Sequence, residues 1–130
     1  MAISKSGGGY QVGDGNASEV TMYMRGPATT MTAAKTLTIG ELASGLVSAT
    51  SSGSYAMTTP TALELDAGLV NAQIGHAFNL ALTHGSATNV ITMTGGTGVT
   101  VVGLATVTGV TSGTWQFRKT GVAAWSVYRI

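Results

Sequence analysis

The stretch NVITMTGGTGVTVVGLATVTGVTSGTW (residues 89–115) consists largely of glycine, threonine and valine, and it contains no charged residue, cysteine or histidine. Threonine and valine branch at Cβ, which restricts their side chains and favours an extended, pleated backbone. Glycine provides the tight reversals between extended segments. The stretch therefore predicts consecutive β-strands and turns, and its role is architectural.

The same pattern extends outward over most of the chain. Turn residues interrupt β-rich runs roughly every eight to twelve positions, a spacing typical of a β-sandwich or barrel. In the last two runs, apolar and polar residues alternate around Trp115, Phe117 and Trp125, and the final run ends at Ile130. The predicted strands cover 19–25, 31–39, 53–59, 74–85, 89–95, 99–103, 105–110, 113–121 and 124–130.

Two segments in the middle of the chain, TIGELASGL (38–46) and TALELDAGL (61–69), align without a gap. In each, a threonine precedes a glutamate by three residues, which matches the capping box that begins a helix. Gly45 and Gly68 stand where a left-handed residue ends one. We predict two short helical turns, with Asp66 in the first turn of the second, where the helix dipole favours an acid. They are either equivalent crossovers between strands or a chance similarity.

The composition points towards association. Charged side chains make up 8% of the 130 residues and the net charge is +1, whereas an ordinary soluble domain has about 25% charged residues. Charged residues are depleted at the cores of protein–protein interfaces. We therefore expect copies of the chain, or a partner, to cover much of its surface. The alternative is a secreted domain that is simply rich in threonine, serine and glycine.

The residues offer little for catalysis or for a cofactor. The chain has no cysteine, so disulfides and thiolate metal sites are excluded. His76 and His84 share a predicted strand, but no carboxylate lies in the same element, and we predict no metal site. The run 95–103 resembles a phosphate-binding loop, yet Val101 stands where a dinucleotide fingerprint needs glycine, so we predict a hairpin or bulge turn. We expect no catalytic residue and no cofactor, and hence a protein that is not an enzyme.

Membrane and nucleic-acid partners are not expected either. No run approaches the roughly 18 consecutive apolar residues of a membrane span, and the start of the chain lacks the apolar core of a signal peptide. Six basic and five acidic side chains provide no basic patch for nucleic acid. The glycine-rich residues 1–19 have too little apolar area to fold alone. We interpret them as an extended N-terminal arm, followed by a β-rich domain over residues 20–130.

Several segments, in their order and spacing, resemble a domain that is widespread in virion proteins of tailed phages, notably marine and freshwater phages. They are KSGGGYQVGDGNASEV (5–20), SYAMTTPTALEL (54–65), VNAQIGHAFNLAL (70–82), GSATNVITMTGGTGVTVVGLATV (85–107), TSGTWQFRKTG (111–121) and AAWSVYRI (123–130). The resemblance implies a capsid decoration, or cement, protein that binds the outside of the major capsid protein lattice as a homotrimer and stabilises the head. It would be assembled in the bacterial host cytoplasm. Related modules also occur in tail fibres, so a receptor- or glycan-binding module is the alternative.

With this resemblance, we expect a single all-β domain, jelly-roll-like or β-tripod-like, with two short helical turns and the N-terminal arm. The arm would order on the capsid, with Tyr10 and Val12 as anchors and Asp14 as a turn former. The predicted capsid-binding residues are Gly7, Gly8, Gly9, Tyr10, Val12, Asp14 and Asn16. The residues predicted to form the trimer interface or the core are Trp115, Phe117, Trp125 and Tyr128.

Overall fold

The computed structural model describes residues 9–11 and 21–23 through their backbone, and residues 25–130 in full. Strands β1 (Gly9–Gln11) and β2 (Thr21–Tyr23) pair antiparallel, which places Tyr10 opposite Met22. Part of the predicted arm therefore pairs with the chain that follows it.

Residues 25–130 form ten strands and two short helices. In chain order they are β3 (Thr29–Met31), β4 (Lys35–Thr36), α1 (Ile39–Ser44), β5 (Leu46–Ala49), β6 (Tyr55–Thr58), α2 (Ala62–Gly68), β7 (Ala77–His84), β8 (Ile91–Thr94), β9 (Val99–Val102), β10 (Thr106–Val107), β11 (Ser112–Gly121) and β12 (Ala124–Arg129). The β-rich single domain expected from the sequence is confirmed.

The strands form a six-stranded sheet, in the order β3-β5-β7-β11-β12-β9, and a four-stranded sheet, in the order β10-β8-β6-β4. From β3 to β11 the chain alternates between the two sheets. As a result β3, β5 and β7 run parallel in one sheet, and β4, β6 and β8 run parallel in the other. Jelly rolls are built from antiparallel strands, so that part of the expectation is not confirmed.

The helices are the predicted equivalent crossovers, because each carries the chain from the four-stranded to the six-stranded sheet. Thr38 caps α1 in a complete capping box with Glu41, and Gly45 ends it at φ 78°. Thr61 caps α2 by accepting from the Glu64 amide. Gly68, however, is the last helical residue and is not left-handed. Glycine is needed there because a Cβ would lie 2.7 Å from the Ile39 side chain of α1.

Three sequence-based expectations change. The predicted run 31–39 divides into β3, β4 and the start of α1, while β5 was not predicted at all. The glycine-rich run 95–103 is not a hairpin, because β8 and β9 belong to different sheets. Gly98 turns the chain between them at φ 82°.

The core lies between the two sheets. Trp115, Phe117 and Trp125 are buried there together with apolar residues of both sheets and both helices. The Phe78 ring stacks on Phe117 at 5.0 Å between centroids and meets Trp125 edge-on at 6.2 Å. Such aromatic pairs contribute about 0.5–1.5 kcal/mol beyond their buried area.

The direction of the strands gives the sandwich two unlike ends. The helix end consists of α1, α2, the loops 69–76 and 95–98, and the turn that joins β11 to β12. The loop end consists of the loops 32–34, 50–54, 85–90 and 108–111. β11 runs from one end to the other, between Val110 and Val122.

Candidate interaction surfaces

A carboxylate joins α2 to the last hairpin at the helix end. Asp66 accepts hydrogen bonds from the Ala123 amide and the Trp125 indole N–H, both at 2.8 Å. The Lys119 ammonium lies 3.2 Å from the same carboxylate and also donates to the Ala72 carbonyl. Asp66 therefore lies beyond the first turn of α2 and serves as a tertiary link, which corrects the helix-dipole interpretation.

The hydrogen bonds determine how this carboxylate titrates. The Trp125 indole and the Ala123 amide, aided by Lys119, hold the pKa of Asp66 below its usual value. At α1, partial burial raises the pKa of Glu41, but the Thr38 amide and Lys35 outweigh it and leave the pKa lowered. Lys35 lies 3.0 Å from Glu41. Both carboxylates with a lowered pKa thus lie at the helix end.

Four large apolar side chains surround this link and are exposed to solvent. Leu63 lies about one turn before Asp66 on α2, Val70 lies two residues after the end of α2, and Val122 immediately precedes Ala123. Ile74 lies next to Gly75, whose amide donates to the Lys119 carbonyl. Their exposed fractions range from 66% to 86%, the largest belonging to Val122. We call Leu63, Val70, Ile74 and Val122 the helix-end apolar patch.

A groove adjoins the patch. It has two parts, of about 540 and 490 Å³, which share Leu69, Ala77 and Phe78 as lining residues. Arg25 lines the first part and Val70 the second. We call both parts together the Phe78 groove. It leads from the residue where the fully described chain begins to the helix-end apolar patch.

The loop end is built differently. Asn89 donates to the Ser51 carbonyl, the Val90 amide donates to Ser54, and the His84 amide donates to the Thr111 carbonyl. These bonds join the loops 50–54, 85–90 and 108–111, none of which contains a charged residue.

Val110 protrudes from this end. Its side chain is 72% exposed, and its φ of 56° is rare for a β-branched residue. A shallow pocket of about 360 Å³ lies beside it and is rich in hydroxyl groups, which come from Ser48, Thr50, Thr83, Thr111 and Ser112.

The two histidines lie in unlike environments. His84 is buried below the loop end, with Nε2 3.3 Å from the Ser51 hydroxyl. His76 is exposed before β7 and accepts from the Gln73 amide through Nδ1. Within the part of the chain that the structure describes, no three His, Asp or Glu side chains gather as metal ligands.

The outer face of the six-stranded sheet carries small or uncharged side chains, which alternate along the strands with the core residues. All are exposed or half-buried. Arg118 is the single charged residue of this face, and it lies towards the helix end. The positions are Thr30, Leu46, Ser48, Ala77, Asn79, Ala81, Thr83, Thr100, Val102, Ser112, Thr114, Gln116, Arg118, Ser126 and Tyr128.

The structure separates the residues predicted as sites. Trp115, Phe117 and Trp125 are core residues of one chain, whereas Tyr128 points to the opposite face and is half-buried. Gly9 and Tyr10 belong to β1, of which only the backbone is described. The remaining predicted capsid-binding residues lie outside the described residues: Gly7, Gly8, Val12, Asp14 and Asn16.

Sequence reasoning missed the helix-end apolar patch and the protruding Val110. Leu63 lies between the core positions Ala62 and Leu65 of α2, so helical spacing did place it off the buried face. Val70 lies beyond the end of the helix, where that spacing no longer applies. Val122 carried no such signal, because its exposure follows from the turn that Asp66 holds.

Comparison with known proteins gives no relative: no protein-family model, no curated protein and no solved structure matches this chain. Among the described residues, neither helix is long and apolar enough to cross a membrane.

Proposed function

We propose that this chain is a structural protein of a phage head, a homotrimeric decoration protein that binds the outside of the major capsid protein lattice. The proposal is supported by the resemblance of its segments to such virion proteins and by the β-rich scaffold. The observation that carries it is the outer face of the six-stranded sheet.

This face is suited to contact with copies of the same chain. Burying a charge without a partner is costly, and the face presents hydroxyls, amides and small apolar groups, with Arg118 near its margin. Hydroxyls and amides both donate and accept hydrogen bonds, so they can pair with an equivalent uncharged surface. In this proposal the face is covered in the trimer, except at its helix-end margin, where Ala77, Asn79 and Gln116 also line the Phe78 groove. The covered part accounts for the low charge of the whole chain.

The trimer supplies the mechanism of attachment. A symmetric trimer meets three capsid subunits at once, so three modest contacts combine into an avidity well above that of one. The N-terminal arm, with the predicted anchors Tyr10 and Val12, adds main-chain contacts along a capsid strand. Ordering the arm on docking has an entropic cost. The bound trimers stabilise the head by linking neighbouring capsid subunits.

A charge placed in the middle of the face tests the trimer. Ala81 lies on β7 between Leu46 and Thr114 of the neighbouring strands, so Ala81→Lys puts an ammonium at the centre. Thr92→Lys is the matched control, since Thr92 is equally half-buried on the outer face of the other sheet. Sedimentation velocity should show trimers of the wild type and of Thr92→Lys, and monomers of Ala81→Lys. A wild type that stays monomeric at micromolar concentration overturns the trimer.

Deleting residues 1–18 tests the arm. The truncated protein should remain trimeric but no longer bind expanded heads in co-sedimentation. Normal decoration by this variant contradicts the capsid-binding assignment. Electron microscopy of a decorated head should place the chain at threefold and quasi-threefold positions.

The pocket at the loop end favours a second candidate function. Its hydroxyl-rich lining is the kind of loop-tip site expected of a receptor- or glycan-binding module of a tail fibre. Within residues 25–130 no aromatic side chain is fully exposed for stacking on a sugar. Density for the chain on a tail fibre, or saturable glycan binding abolished by Thr83→Ala, selects this candidate instead.

A further inference from the structure

We infer that the helix end docks on the capsid, through the helix-end apolar patch and the Phe78 groove. The occupant is an apolar segment of the major capsid protein that is flanked by carboxylates. This inference rests on the proposed function and names the surface that function uses.

The first argument is the distribution of exposed apolar side chains. The helix-end apolar patch brings four of them together around the partly exposed Asp66–Lys119 pair. Apolar patches rimmed by polar groups mark protein contacts, and their central side chains dominate binding energy. At the loop end, Val110 is the exposed large apolar residue of the four loops, and the residues around it are small and polar. Leu104 and Ile130 are also exposed, but they lie apart from it at the edge formed by β9 and the end of β12. An apolar partner is therefore better matched at the helix end.

The second argument is the position at which the N-terminal part of the chain joins the domain. Arg25 lines the Phe78 groove, so the backbone enters the fully described domain beside this groove. An arm tethered there reaches the same partner surface as the helix-end apolar patch. Two linked contacts with one partner raise the effective concentration of the second. If the body docked by its opposite end, the arm would have to span the domain, which would reduce this gain.

The third argument is charge. The ion pairs within residues 25–130 join Lys35 to Glu41 and Lys119 to Asp66. Arg25 and Arg118 are exposed and form no ion pair within this range. Arg25 lines the groove, and Arg118 lies opposite the groove residue Ala77 across β7 and β11. The cations beside the groove thus select carboxylates on the occupant.

Two valines make the decisive test, because they flank β11 at opposite ends of the molecule. Val122→Asp places a charge in the helix-end apolar patch, and Val110→Asp places one at the loop end. Both side chains are mostly exposed, so both variants should fold, which circular dichroism and Tm verify. Binding is measured by co-sedimentation with expanded heads that lack the protein. Val122→Asp should weaken binding by about tenfold or more, while Val110→Asp stays near the wild-type affinity.

Substitutions at Arg25 test the charge argument. Arg25→Glu should weaken head binding and flatten its dependence on salt, whereas Arg25→Lys should retain both. Equal binding by the wild type and Arg25→Glu at low salt contradicts the carboxylate-flanked occupant. Sedimentation velocity of each variant shows whether the trimer has stayed intact.

The possible outcomes distinguish a failure of the docking inference from a failure of the proposed function. If the wild type does not bind heads, the proposed function is wrong. If the wild type binds and Val122→Asp binds equally well, the function stands and the docking surface is wrong. If Val110→Asp alone loses binding, the loop end is the docking surface and the inference is overturned.

Discussion

The helix end and the loop end of this molecule are held together by different forces. At the helix end, carboxylates cap α1 and link α2 to the last hairpin, with Lys35 and Lys119 as partners. At the loop end, uncharged loops are joined by backbone and amide hydrogen bonds. Charged side chains are therefore concentrated where the chain crosses between sheets through a helix, since the free amides at a helix N-terminus favour carboxylate partners.

The difference has consequences for stability. The stability of a junction made by ionised groups depends on pH and on single hydrogen bonds. The stability of a junction made by close backbone packing depends on how well the surfaces fit, and such a junction tolerates almost no added volume. We therefore expect the two ends to respond to different perturbations.

The largest expected effect is steric and falls where backbone segments touch, as they do in the loop 108–111. A Cβ on Gly109 would lie 2.5 Å from the carbonyl carbon of Ala87, and backbone atoms cannot move aside easily. We expect Gly109→Ala to lower the free energy of unfolding by about 3 kcal/mol. At the helix end, a Cβ on Gly68 would meet the branched side chain of Ile39 instead of backbone atoms, so Gly68→Ala should cost less, about 2 kcal/mol. Urea unfolding measures the free energy of unfolding of both variants. An equal loss of free energy in the two variants would show that the two ends do not differ in how tightly they are packed.

The next effect is electrostatic and belongs to the helix end. Because folding lowers the pKa of Asp66 and Glu41, their ionised forms stabilise the folded state. This contribution is complete above the unfolded-state pKa values of about 4 and is lost as the pH falls through the lower folded-state values. Asp66→Asn should lower Tm at pH 7 and reduce the further fall of Tm below pH 4. An unchanged acid profile contradicts the role of this carboxylate.

Amide exchange locates the same effect within the molecule. On acidification, the Ala123 amide, which donates to Asp66, should lose protection before the His84 amide at the loop end. Simultaneous loss at both ends indicates that they unfold as one unit.

The smallest effect is a gain in stability. Val110 has a left-handed backbone, which a β-branched residue adopts only under strain, whereas asparagine tolerates that conformation. Val110→Asn should therefore raise the free energy of unfolding by about 1 kcal/mol, a change that thermal unfolding detects. A lower Tm shows that the Val110 side chain stabilises the loop end through contacts that outweigh the strain.

Some elements were predictable because their causes are local. The capping residues Thr38, Glu41 and Thr61 lie within one helical turn of the groups they satisfy, so both helices were found from the sequence. The burial of Trp115 and Phe117 follows from alternation along β11. In contrast, β5 is short, and its pairing with β3 and β7 cannot be seen in its own four residues.

The surfaces were less predictable, because they depend on residues that are distant along the chain. Asp66 meets Ala123 and Trp125 some 57 and 59 positions away, and no local pattern connects them. The exposure of Val122 depends on that junction, and the Phe78 groove arises where both helices meet the sheet.

The sequence alone determined the β-rich scaffold, the two capped crossovers and the scarcity of charge. Each follows from side-chain branching, residue periodicity or composition, which act over a few residues or on the chain as a whole. The tertiary structure alone decided that the central strands run parallel, that Asp66 is a link, and that the two ends differ. Those features depend on which strands become neighbours, and strand pairing is chosen by the packing of the whole core.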